Sequence, residues 1–177
     1  RLLIQTNTKA IYRRSFTATY YIYSIRNNKL EPLSDGGPQQ TPVFSPDGNQ
    51  IAFVRDNNIF LVKLLYDNAE SQVTKDGKRN EVINGIPDWV YEEEFSTNSS
   101  MVFTADSKQI LWIRYDESAV KQYSMQLFKG LKPTRTEFAE YPGDYTYKYP
   151  VPGQVNSKVS VWSYDIKSHQ TRKIDVP

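Results

Sequence analysis

An all-β chain, a partial β-propeller of about three four-stranded antiparallel blades, is the fold this sequence predicts, and three observations predict it. Tyr, Phe and Trp are abundant, at 13, 8 and 3 of 177 residues, and they fall mainly in short alternating runs, the pattern of half-buried strands. A hairpin grammar recurs: an aromatic strand, a polar four-residue turn, then a second short strand. A second unit, strand–tight turn–strand, also occurs twice, and joining the two units gives a period of roughly 40 residues, the length of a propeller blade.

Taken in chain order, Thr19–Ile25 reads as a strand that turns through Arg26-Asn27-Asn28-Lys29 into Leu30–Leu33. Asn and Gly tolerate the left-handed backbone such turns need. Phe44-Ser45-Pro46-Asp47-Gly48-Asn49-Gln50-Ile51 then matches Phe103-Thr104-Ala105-Asp106-Ser107-Lys108-Gln109-Ile110 further on. Between them Asn58–Leu65 turns through Tyr66-Asp67-Asn68-Ala69 into Ser71–Thr74, and near the end Lys158–Asp165 turns through Ile166-Lys167-Ser168-His169 into Thr171–Ile174. The interval before that last hairpin is stretched by roughly 35 to 40 residues rich in Tyr, Pro, Gly and Lys, an insertion of about 117–156 expected to form a packed arm. Helix signals are scarce. The best lies in the segment Asn84–Phe95, with Asp88 as N-cap and acids near the positive end of the dipole, and one or two turns are expected before Phe95-Ser96-Thr97-Asn98-Ser99-Ser100 breaks the pattern. A closed ring needs at least four blades, so the chain reads as part of a ring with open terminal edges.

Composition excludes several functions. Lys plus Arg number 22 against 20 Asp plus Glu, the basic residues are scattered, and a net charge of +2 offers no field for nucleic acid. Cysteine is absent, which removes thiol nucleophiles and thiolate metal sites. His169, the single histidine, sits in a polar turn and is expected to be exposed, so no triad can be built on it. No Gly-X-Ser-X-Gly elbow, metal-ligand spacing or Gly-rich phosphate loop occurs, and Asp47-Gly48-Asn49 and Asp76-Gly77-Lys78 are turns between strands. The expectation is no cofactor and no metal. No run approaches the roughly 20 apolar residues of a membrane span. The chain opens on Arg1, without Met or an apolar leader, as expected of a piece of a longer or processed protein.

Chemistry concentrates at Asn84-Gly85-Ile86-Pro87-Asp88-Trp89-Val90-Tyr91-Glu92-Glu93-Glu94-Phe95. Two readings of its three adjacent carboxylates stand open: a solvated acidic helix start, or a cation site in which two carboxylates share a primary ammonium. Consecutive helical residues fan out by about 100°, so two can converge and one must point away. Arg13 and Arg14, just before the first hairpin, either serve solubility or supply one guanidinium that holds a carbonyl oxygen or neutralises the acids.

The acidic segment closely resembles the glutamate motif of the dipeptidyl peptidase IV family, S9B serine peptidases of the prolyl oligopeptidase type. Tyr12-Arg13-Arg14-Ser15-Phe16-Thr17-Ala18-Thr19-Tyr20-Tyr21-Ile22-Tyr23 resembles that family's Arg-containing strand and hairpin. Phe44–Gly48 through Ile59-Phe60 resembles its next blade, and Tyr149-Pro150-Val151-Pro152-Gly153-Gln154-Val155-Asn156 the end of its extended arm. The resemblance implies an eight-bladed propeller, of which residues 1–177 are a fragment, capping a C-terminal α/β-hydrolase domain absent from this chain. It further implies that Glu93 and Glu94 bind the free N-terminus of peptide substrates, that Arg13 (Arg14 more weakly) contacts a substrate carbonyl, and that Trp89, Tyr91 and Glu92 support them. A serine dipeptidyl peptidase releasing Xaa-Pro or Xaa-Ala dipeptides, homodimeric and placed in the periplasm or envelope of a bacterium, is the expected parent, with no catalytic triad residue in this chain. A non-enzymatic propeller used for protein interaction is the alternative.

Overall fold

A computed structural model describes residues 1–128 and 138–176. The expected arm is therefore described except for residues 129–137, which lie outside the described residues. Three antiparallel sheets follow one another along the chain. The first joins β1 (Leu2–Ala10), β2 (Phe16–Ser24) and β3 (Lys29–Pro32) in the order β1-β2-β3. The second joins β4 (Gln40–Phe44), β5 (Gln50–Arg55), β6 (Asn58–Lys63) and β7 (Ala69–Gln72) in chain order.

The third sheet is built around β10 (Gln109–Asp116). One side of β10 pairs with β13 (Lys158–Asp165), which pairs in turn with β14 (Gln170–Ile174). Two short strands also pair with β10: β9 (Met101–Phe103) along its first half, and β8 (Val82–Asn84) along its second. Four strands per blade thus holds for the second sheet alone among the described residues. The third has five because the helix α1 (Trp89–Phe95) interrupts its inner strand and splits it into β8 and β9. The interruption carries the glutamate motif. The arm is a separate hairpin of β11 (Gln122–Leu127) and β12 (Gly143–Lys148).

Alternation along β5 and β6 explains the stacking. Successive strand residues point to opposite faces, and every residue from Ile51 to Val54 and from Ile59 to Val62 is buried. Ile51, Phe53, Phe60 and Val62 pack with Ala18, Tyr20 and Ile22 of the first sheet. Ala52, Val54, Ile59 and Leu61 face the other way, onto Ile83, Ile110, Trp112 and Tyr115 of the third. The middle sheet is therefore core on both faces. Its β5–β6 turn is Asp56-Asn57, both left-handed at φ 50° and 62°, as a two-residue hairpin requires.

The repeated turn motif folds the same way twice. Ser45 Oγ donates to Asp47 and accepts the Gln50 N–H at 3.0 Å; Thr104 Oγ1 donates to Asp106 at 2.7 Å and accepts the Gln109 N–H at 3.0 Å. In both, the hydroxyl hydrogen bond leads in holding the Asp carboxyl below its usual value. The two turns also touch, since the Asp47 N–H donates to Ser107 Oγ at 3.0 Å and Gln50 Nε2 to the Ser107 carbonyl at 3.2 Å.

Candidate functional site

Helix α1 begins where the sequence predicts. Asp88 caps it, its Oδ1 accepting the Tyr91 N–H at 2.9 Å, and Ser96 ends it in the left-handed conformation at φ 56°. Gly85 makes the approach feasible: its φ is +78°, and a Cβ there would sit 3.1 Å from Ile59 and Val54 side-chain carbons. Asn84, buried beneath, was given no role by the sequence, yet it ties the motif to β10 and to the loop that precedes β8. Its Oδ1 accepts Trp112 Nε1–H at 3.0 Å, and its Nδ2 donates to Asp76 Oδ1 at 2.9 Å. Burial opposes the charge on Asp76, but hydrogen bonds from Arg114 and Asn84 outweigh it and leave the carboxyl below its usual value.

The three glutamates occupy three environments. Glu92 is buried, and its Oε1 accepts the backbone N–H groups of Arg14 and Ser15, both at 2.8 Å. Glu93 is partly buried, and its Oε1 lies 3.1 Å from Nη1 of Arg13. Its Oε2 is buried and without a hydrogen-bond partner among the described residues. Glu94 is exposed. The fan of about 100° per residue explains the separation: one carboxylate turns into the protein, one along its surface, one outward.

Arg13 stands on the loop 11–15 between β1 and β2, which closes on itself through Ile11 and Tyr12 N–H groups donating to the Ser15 carbonyl. Its guanidinium also lies 5.8 Å from the Tyr12 ring centroid. Burial first, then the nearby Glu93 carboxylate, raises the Tyr12 phenol above its usual value, although the two groups do not reach hydrogen-bond geometry. Arg14 is exposed, and its main chain, rather than its side chain, engages the helix.

Aromatic rings wall the site. Trp89 lies 5.7 Å from Tyr12, 5.8 Å from Tyr147 and 4.5 Å from Tyr149, centroid to centroid, so the arm rests on the helix. On the opposite side Tyr91 meets Tyr115 edge-on at 5.0 Å. Ser157 closes the arm's far end by donating to Asp88 Oδ2. Between loop, helix and arm lies a cavity of about 290 Å³ whose lining includes Tyr12, Trp89, Glu92, Glu117, Tyr147 and Lys148. Glu117 is the member that sequence reasoning missed. Burial, then the nearby Asp88 carboxylate, pushes it up to about 7, with Lys148 acting in the opposite direction. Nothing in its local sequence marks it, because Asp88 and Lys148 are about 30 residues away on either side and are brought to it only by the fold.

With this geometry, the model of the dipeptidyl peptidase IV N-terminal region matches residues 1–177. The chain belongs to that family. The dipeptidyl peptidase IV N-terminal fold is also seen in a crystal structure of Porphyromonas gingivalis dipeptidyl peptidase 4, 44% identical with a TM-score of 0.89 over 99% of this chain and 24% of that one. A structure from Bacteroides ovatus, described as a putative dipeptidyl aminopeptidase IV, shares the fold at 18% identity, with a TM-score of 0.62 over 92% of this chain and 21% of the other. Among curated proteins, the probable dipeptidyl-aminopeptidase B of Podospora anserina is 39% identical over 99% of this chain, and that of Emericella nidulans 38% over 100%. This dipeptidyl peptidase IV N-terminal region spans about a fifth of the length of those relatives (20% of each). No helix among the described residues is long and apolar enough to cross a membrane.

Proposed function

We propose that this region reads the free N-terminus of peptide substrates for a serine dipeptidyl peptidase. Glu93 and Glu94 take the ammonium, Arg13 takes the carbonyl of the same first residue, and catalysis belongs to a C-terminal α/β-hydrolase domain. One observation carries the reading: a buried carboxylate oxygen, Glu93 Oε2, lacks a hydrogen-bond partner among the described residues, beside the Arg13–Glu93 ion pair at 3.1 Å. A buried anionic acceptor left unpaired is costly, and a primary ammonium supplies the missing donor through charge-assisted bonds. In a peptide, the ammonium and the first carbonyl are separated by one Cα. An acid and a guanidinium in contact therefore match both ends of one residue.

The gain is orientation. Binding energy remote from the scissile bond fixes where that bond lies, so a site holding the first residue makes the enzyme count two residues before cutting. The preference for Xaa-Pro and Xaa-Ala then rests with the hydrolase pocket. Pairing into a homodimer through the tyrosine arm, and placement in the periplasm or envelope of a bacterium, complete the proposal. The exposed apolar side chains Tyr123, Met125 and Tyr141 support an arm that meets a further surface.

The test uses the full-length protein and an unblocked Xaa-Pro-p-nitroanilide. Glu93→Gln should lower kcat/KM by about a hundredfold, the scale expected when one member of a desolvated charge pair is neutralised. Wild-type rates in both Glu93→Gln and Glu94→Gln would remove the assignment. A downstream sequence lacking Gly-X-Ser-X-Gly followed by Asp and His would favour a non-enzymatic interaction propeller.

A further inference from the structure

We propose that Glu92 is the positioning residue of this site: its buried carboxylate grips the backbone that follows Arg13 and so sets the guanidinium against Glu93. This rests on the N-terminus reading above. Arg13 cannot be fixed by packing, because its side chain is 66% exposed. What fixes it is the main chain beside it. Glu92 Oε1 accepts the N–H groups of Arg14 and Ser15 at 2.8 Å each, across 78 and 77 residues of sequence. From just beyond the helix C-terminus, Asn98 Nδ2 donates to the Arg14 carbonyl at 3.2 Å. Both polar groups of the Arg14 backbone are thus held from the glutamate segment, one through its N–H and one through its carbonyl.

The arrangement suits a carboxylate. One oxygen with two lone pairs accepts two successive N–H donors, and the negative charge strengthens both bonds. Glu92 and Glu93 are adjacent on α1, so the residue that fixes the loop and the residue that pairs with its arginine move as one body. The loop 11–15 would otherwise be a surface connection free to carry Arg13 away from the acid. A shift near 1 Å at a positioning group can cost on the order of a hundredfold in rate.

The experiment is a double-mutant cycle in the full-length protein, read as kcat/KM on an unblocked Xaa-Pro-p-nitroanilide. Glu92→Ala should lose activity by about ten- to a hundredfold, and Glu92→Gln, which keeps an oxygen to accept both N–H groups, should recover most of it. In an Arg13→Ala background the Glu92→Ala loss should shrink to less than about twofold, because the residue being positioned is gone. Glu92→Ala leaves two N–H groups unpaired and can fail to fold. Asn98→Ala, whose carbonyl partner stays open to water, covers that case, with a loss of about two- to fivefold that likewise disappears with Arg13→Ala. Losses that add fully to that of Arg13→Ala, or none at Glu92 and Asn98, overturn the positioning role alone. Arg13→Ala and Glu93→Gln both at wild-type activity would remove the site reading and this role together.

Discussion

The middle sheet and the tyrosine arm are both antiparallel hairpin structures rich in aromatic side chains, and they are stabilised in opposite ways. In β5 and β6 alternate residues point into two different cores, so each strand is held from both faces and its own sequence contains the instruction. In the arm, β11 is exposed along most of its length, and what order it has comes from Tyr147 and Tyr149 lying on Trp89 and from Ser157 on Asp88. The sheet is autonomous core. The arm is a guest on the helix that carries the glutamates.

Breaking that contrast should begin with the sheet. Phe53 is fully buried and stacks on Phe60 at 5.5 Å and 10°. Phe53→Ala should cost about 3–5 kcal/mol, a cavity in a site that cannot collapse because sheets lie on both sides. Denaturant unfolding of the full-length protein measures it, and a loss below about 1 kcal/mol would mean that the sheet is not held from both faces.

An intermediate effect lies at Glu117, where sheet and arm meet. Its folded carboxyl value is raised from 4.5 to about 7, burial being the main cause. A carboxyl raised on folding binds its proton more tightly in the native state, so its contribution is complete below the unfolded value and is lost as pH rises from about 4.5 through about 7. Glu117→Gln should escape that loss. The Tm of the variant minus that of the wild type should grow as pH rises across this window, and a constant difference would show that Glu117 is already solvated when folded.

The smallest effect belongs to the arm itself. Tyr123, 47% exposed, contributes one ring contact, to Tyr149 at 5.5 Å. Tyr123→Ala should cost no more than about 0.5–1.5 kcal/mol. A loss as large as that of Phe53→Ala would place the arm among the autonomous elements.

Legibility in the sequence follows the same division. The β2–β3, β6–β7 and β13–β14 hairpins, both hydroxyl–Asp turns and the capped helix were readable because their determinants are local: alternation, turn residues, an N-cap. β1 was not, since Leu2–Ala10 mixes apolar and polar residues and its register shifts between Thr6 and Lys9. Nor were the strands of the arm, where Tyr147 packs on Trp89 from about 60 residues away in sequence. At the site, the local sequence marked Glu92, Glu93, Glu94 and Arg13 as residues of interest, and the fan of a short helix required one acid to point away from the other two. That Glu92 would take two main-chain N–H groups from a loop 77 residues earlier depends on the loop of the first sheet meeting the helix inserted in the third, which no local pattern encodes. Asn84 and Glu117 escaped for the same reason.

The paired hydroxyl–Asp turns have a consequence for geometry on a larger scale. Because the Asp47 N–H and the Gln50 side chain of one sheet are bonded to Ser107 of the next, neighbouring sheets are pinned at a defined point and cannot swivel freely about their apolar contact. Along a row of stacked sheets, angular errors accumulate from one module to the next. The hydrogen-bonded stop at this junction acts like the detent of a hinge, and it holds the second and third sheets at one mutual angle.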